Sequence, residues 1–202
     1  VRFLNKLQDP VYQSHKNARL RPVPVRRKHD KKHAQIAGCG VHIMTCCMPC
    51  GDYCSFDRLP DAAKKKVTEL SYQYGMGLSP KPRLRKEVST LLLSEMNVSV
   101  DTKQDLEELS RNLMNRSDHS RFWKEVRKAN ENGIKLIILC EHGGQIKSIP
   151  DVAKWHSKYS PVSGRALMEE IYRVHIAYGV DFVFCDKRTT GKKIIELLGG
   201  AL

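Results

Sequence analysis

Asp101 and Lys103 sit two residues apart in Val98-Ser99-Val100-Asp101-Thr102-Lys103, where Val98 and Val100 alternate with polar neighbours. That alternation predicts a half-buried strand, on which Asp101 and Lys103 project to the same side. A carboxylate and an ammonium held together at a strand end suit metal-assisted hydrolysis. The acid holds a hard cation such as Mg2+, and the amine steadies a phosphate oxygen or the attacking water. A second acid, Asp52, closes the apolar run from Val41 to Met48 through Pro49-Cys50-Gly51, and a divalent ion needs such a second carboxylate. Glu107, four residues past Lys103, falls on the turn after the strand, where it either assists the site or complements the dipole of the following helix. Glu141 ends the apolar stretch Gly133 to Cys140 and is a further candidate ligand or supporting group.

An acid, an acid-x-Lys, a helix and a core strand make the order of a PD-(D/E)xK nuclease core. From Gly51 onward the chain resembles the nuclease domain of the XPF-type structure-specific endonucleases, in their small phage and bacterial form. Gly51-Asp52 matches the family's Gly-Asp, Asp101-Thr102-Lys103 stands where Glu-Arg-Lys would, and Glu107 takes the later acidic position. The resemblance covers the chain from about His29 to the end, with an insertion at about 57–96. It implies an α/β fold, a restriction-endonuclease-like sandwich with a mixed central β-sheet flanked by helices. It also implies metal held by Asp52 and Asp101 (Mg2+ or Mn2+), catalysis by Asp52, Asp101, Lys103 and Glu107, and cleavage of branched or flap DNA in repair or phage recombination. Homodimers are frequent in this family, so a homodimer is among the expected states.

Two departures stand out. Thr102 replaces the arginine of Glu-Arg-Lys, a change expected to alter phosphate contact more than metal binding. The stretch Val23-Pro24-Val25-Arg26-Arg27 is read as the family's first strand, with Pro24 roughly where an acid of Asp-x-Arg-Glu belongs. A catalytically impaired DNA-binding protein on the same fold is therefore the alternative reading.

The charge agrees with a polyanionic partner. The 202 residues hold 35 Lys+Arg against 22 Asp+Glu, a formal net charge of +13, with DNA the first candidate. Arg26 and Arg27, in a basic, poorly ordered N-terminal arm over 1–28, and Arg121 and Lys124, on a helix, are the expected DNA-binding side chains. No stretch is long and apolar enough to span a bilayer and no signal peptide pattern opens the chain, so no membrane partner and a cytoplasmic location (a bacterial or phage-infected cell) are expected.

Cys39, Cys46, Cys47, Cys50 and Cys54 cluster near His42, which raises a zinc-binding interaction protein as a third reading. Only Cys47 and Cys50 have the Cys-x2-Cys spacing, however, and on a strand Cys46, Met48 and Cys50 share one face as core residues do.

The elements that must position these residues alternate. Strands are expected at Val41–Met48, Val98–Lys103, Gly133–Glu141 and Val180–Cys185. Helices are expected at His29–Ala37, Leu59–Leu70, around Leu106, Leu109 and Leu113, at His119–Asn130, at Arg165–Tyr178, and after Thr189. Tyr72 to Arg83 reads as loop on its glycines and prolines.

Overall fold

A computed structural model describes residues 2–6, 29–114 and 116–200. Among them a six-stranded sheet runs in the spatial order β2-β1-β3-β4-β5-β6. The strands are β1 (Arg2–Lys6), β2 (His42–Cys46), β3 (Tyr53–Ser55), β4 (Val98–Lys103), β5 (Lys135–Cys140) and β6 (Asp181–Phe184). β1 is parallel to β2 and antiparallel to β3, β3 is antiparallel to β4, and β4, β5 and β6 run parallel. The sheet is mixed, as expected.

Period-two alternation sends each strand's side chains into two separate cores. Leu136, Ile138 and Cys140 enter one, and Ile137 and Leu139 the other. The first core is capped by α2 (Asp61–Gly75), α3 (Pro82–Glu95), α4 (Leu106–Met114), α5 (Arg116–Glu131) and α6 (Gly164–Tyr178). The second is closed by α1 (Asp30–Gly38) and α7 (Thr190–Leu197), through Ile36, Ile194 and Ile195. This is the two-faced α/β sandwich, each layer burying one face of the sheet.

The helices follow from their apolar spacing. Leu106, Leu109 and Leu113 are buried on one face of α4, whose first turn carries Glu107 and Glu108 and whose last turn carries Arg111, the charge order the helix dipole favours. α6 starts where Ser163 Oγ accepts from Ala166 N at 3.2 Å, and stops at Gly179 in the left-handed region with φ 63°.

Two expectations need correction. The strand that opens the sheet is Arg2–Lys6, inside the stretch read as a basic arm and well before Val23–Arg27. Its core-forming pair, Phe3 and Leu4, is fully buried, and two apolar residues among polar ones are too short a pattern to mark a strand. The rest of the expected arm, 7–28, with Arg26 and Arg27, lies outside the described residues. The second correction is that Tyr72 to Arg83 is not all loop: α2 continues to Gly75, and α3 begins at Pro82, whose fixed φ suits the first helical position. α2 and α3 thus form a helical pair that buries Ala63, Val67 and Leu70 against Leu84, Val88 and Leu92. β3, a strand of three residues, is one that the sequence does not announce.

Candidate functional site

Gly51-Asp52 lies across the middle of β4. Asp52 N donates to Val100 O at 2.8 Å, and Tyr53 pairs with Val100. The crossing is close: a Cβ at Gly51 would fall 2.2 Å from Ser99 Oγ, and the residue has φ 65°, so only glycine fits. Ser99 Oγ in turn donates to Cys50 O at 2.9 Å, locking the turn in place. The apolar run of β2 therefore delivers Asp52 beside Asp101 and Lys103, although 48 residues separate Asp52 from Asp101 (101 − 52 − 1).

Asp101 Oδ2 and Lys103 Nζ form an ion pair of 2.7 Å, both buried, on the face of β4 turned toward α5. The Lys103 ammonium also stands over the Phe122 ring, 5.5 Å from its centre. Burial pushes the Asp101 carboxyl up to about 6; Lys103 opposes this, while the negative charges of Asp52 and Glu125 add to it. For Lys103, burial favours the neutral amine, but the Asp101 charge and hydrogen bond outweigh it and raise the group above its ordinary value. Lys103 is a cation here.

Asp52 goes the other way. Burial would raise its carboxyl, yet His29, two hydrogen bonds from Thr102 and the Lys103 charge together hold it below the usual carboxylate range. Thr102 N and Thr102 Oγ1 both donate to Asp52 Oδ2, at 3.0 and 2.6 Å. Thr102 thus acts on the site carboxylate. Its hydroxyl is oriented from behind: Lys32 Nζ donates to Thr102 Oγ1 at 3.0 Å, which leaves the hydroxyl proton for Asp52. Lys32 also pairs with Glu141, and both side chains are nearly inaccessible, at 5% and 7% exposed. Glu141 N donates to Lys103 O at 2.7 Å, carrying the β4–β5 ladder one step past the strand end.

Of the sequence-derived candidates, Asp52, Asp101 and Lys103 come together and Glu141 supports them through Lys32. Glu107 does not join them. Its carboxylate accepts from Ser157 Oγ at 2.9 Å and Lys158 N at 2.7 Å, so it anchors the 156–160 segment. Arg121 and Lys124 are exposed on α5, one turn and one residue before Glu125, which accepts from Gly51 N at 3.3 Å. Lys32, His29 and Glu125 escaped the sequence reading. Only Lys32 had a signal: it lies four residues before Ile36, on the one buried face of α1.

No group of three or more His, Cys, Asp or Glu side chains that could hold a metal ion occurs among the described residues. The cysteines of the zinc reading are free thiols, with Cys46, Cys50 and Cys54 buried in the core, where Cys54 Sγ donates to Met48 Sδ at 3.9 Å. Two carboxylates are nevertheless a fitting donor set for Mg2+, which keeps several waters and binds through one or two acids plus substrate phosphates. The negative charges of Asp52 and Glu125 beside Asp101 favour added positive charge there.

A mixed six-stranded sheet between two helical layers makes an α/β sandwich, with Asp101 and Lys103 toward the carboxyl end of β4. Among solved structures the chain is similar to XPF from Aeropyrum pernix, with a TM-score of 0.53 and 12% sequence identity. The match covers 98% of this chain and 60% of that one, so the chain corresponds to about three fifths of the length of its structural neighbour. At that identity the likeness is one of fold. No family profile and no curated protein matches the sequence. No helix among the described residues is long and apolar enough to cross a membrane.

Proposed function

We propose that the chain is a metal-dependent DNA endonuclease, with Mg2+ or Mn2+ held by Asp52 and Asp101. The observation that carries this reading is the meeting of Asp52, Asp101 and Lys103 at one point of an XPF-like sheet. The cation, when bound, would polarise the scissile phosphate and lower the pKa of an attacking water. Asp52, held ionised by His29, Thr102 and Lys103, would offer a ready charge for it, and the Asp101 carboxylate would join it. Lys103 remains an ammonium and stabilises the negative charge that builds on the phosphate. Arg121 and Lys124 on α5 supply phosphate contacts that do not read sequence. Branched or flap DNA is the substrate form proposed.

A second reading, a DNA-binding protein that does not cut, is favoured by one observation. The first strand of the sheet carries no acid beside the site: Asn5 is there, donating to Asp52 O at 3.3 Å.

Cleavage of labelled duplex, flap and single-stranded DNA with Mg2+ or Mn2+ separates the two. Cutting that is lost in Asp101→Asn and Lys103→Ala establishes the nuclease. Magnesium-independent binding with no cutting by the parent chain establishes the second reading and sinks the first.

A further inference from the structure

From Glu141 the chain passes a 3-10 turn at Pro150–Lys154 and a loop at 156–163 before entering α6. That loop is fixed at its base. His156 and Ser163 pair across an antiparallel bridge. Gly164 packs so closely that a Cβ would lie 2.3 Å from the carbonyl oxygens of Trp155 and Val152. Higher up, Glu107 grips Ser157 and Lys158, and Ser157 Oγ accepts from Tyr159 N at 3.2 Å and Ser160 N at 3.0 Å. Lys158, Tyr159 and Ser160 form the apex, where Tyr159 is 83% exposed, the most exposed large hydrophobic side chain among the described residues.

An immobilised backbone that presents one aromatic ring to water is a preorganised contact, since little order remains to be imposed on binding. Its location is informative. Lys103 pairs with Cys140 at the carboxyl ends of β4 and β5, the chain leaves β5 there toward the loop, and Glu107 follows Lys103 on α4. The loop therefore follows the carboxyl end of the sheet, the end at which Asp101 and Lys103 lie on β4. Arg111, one turn along α4 from Glu107, is exposed, as is Lys158.

We propose that this apex is a base-stacking contact for nucleic acid: Tyr159 receives the face of an unpaired nucleobase, and Lys158 and Arg111 meet the adjoining phosphates. Stacking on tyrosine is tolerant of sequence because every base has a π-face, and a base inside a duplex has no free face to offer. Glu107 serves this surface. The inference rests on the reading of the chain as a DNA-acting protein.

The test is equilibrium binding of fluorescent oligothymidine, flap DNA and duplex in EDTA, where no cleavage occurs. Tyr159→Ala and Tyr159→Phe are compared with the parent chain, their folding checked by thermal unfolding. Tyr159→Ala is expected to lower affinity for the single strand and the flap, relative to duplex, by roughly 5- to 100-fold, with Phe restoring it. Equal loss on all three DNAs, or no loss on any (as when the ring serves a protein partner), overturns the inference. Because the assay needs no catalysis, a chain that fails to cut can still show the Tyr159 dependence, and a chain that cuts can lack it.

Discussion

The Lys32 ammonium lies 3.0 Å from Thr102 Oγ1, and through that one hydroxyl a helix on the second face of the sheet fixes the orientation of Asp52. Lys32 also neutralises Glu141, so the buried charges form a closed set behind the site. Removing one member exposes the cost of the other. Lys32→Met should destabilise the fold by about 3–5 kcal/mol, because it leaves the Glu141 charge buried without its partner. The double variant Lys32→Met/Glu141→Gln should recover most of that loss. Urea unfolding of the three chains measures both numbers, and a double variant no more stable than Lys32→Met would refute the pairing as the cause.

Asp101 makes stability depend on pH. Its folded carboxyl, at about 6, lies above the ordinary value of an unfolded aspartate, about 3.9, so the native state holds the extra proton between the two. Where the native state binds more protons, stability falls as pH rises. The metal-free protein should therefore lose on the order of 2–3 kcal/mol between about pH 4 and pH 6 from this group, with no further change from it above. Asp101→Asn should flatten that part of the profile. A bound cation competes with the same proton, so the half-saturating Mg2+ concentration should rise about tenfold per pH unit below 6. Calorimetric titration at pH 5, 6 and 7 checks the slope.

Glu107 should behave as a loop anchor. Glu107→Gln weakens its grip on Ser157 Oγ and Lys158 N without touching the Asp52–Asp101 pair. Amide exchange at Lys158, Tyr159 and Ser160 is expected to accelerate by roughly tenfold, while the half-saturating metal concentration keeps its parent value. A large rise in that concentration would return Glu107 to the metal site.

Much of this arrangement is legible in the amino-acid order. Asp101 and Lys103 share a strand face by simple alternation, and the apolar run to Cys140 marks a buried strand at once. What resisted reading depends on contacts between distant segments. Arg2–Lys6 is a strand because β2 and β3 flank it, not because its own pattern demands one. The spacing of Lys32 from Ile36 places it on the buried face of α1, but the partner that lets it be buried, Glu141, stands 109 positions later (141 − 32). Glu107 matched a spacing, but the loop that claims its carboxylate lies about fifty residues on. Cys46, Cys50 and Cys54 are buried while Cys39 and Cys47 are half-buried, and β2 ends at Cys46, so the packing of the following turn, not strand alternation, buries Cys50.

Gly51 is where the local and the distant meet. Its φ of 65° alone disfavours any side chain, and the Ser99 hydroxyl stands 2.2 Å from where a Cβ would be. Gly51→Ala should therefore cost more than left-handed strain by itself, of order 1–3 kcal/mol, since it also pushes Ser99 off Cys50 O and lifts Asp52 from β4. Trimming the obstacle in Gly51→Ala/Ser99→Gly should relieve the clash but not the backbone strain, so stability should recover only in part. Asp52 should recover only in part as well, because Ser99→Gly removes the bond to Cys50 O. Thermal unfolding follows the first effect and Mg2+ titration the second; full recovery of stability would mean that sterics alone, and not φ, hold this position to glycine.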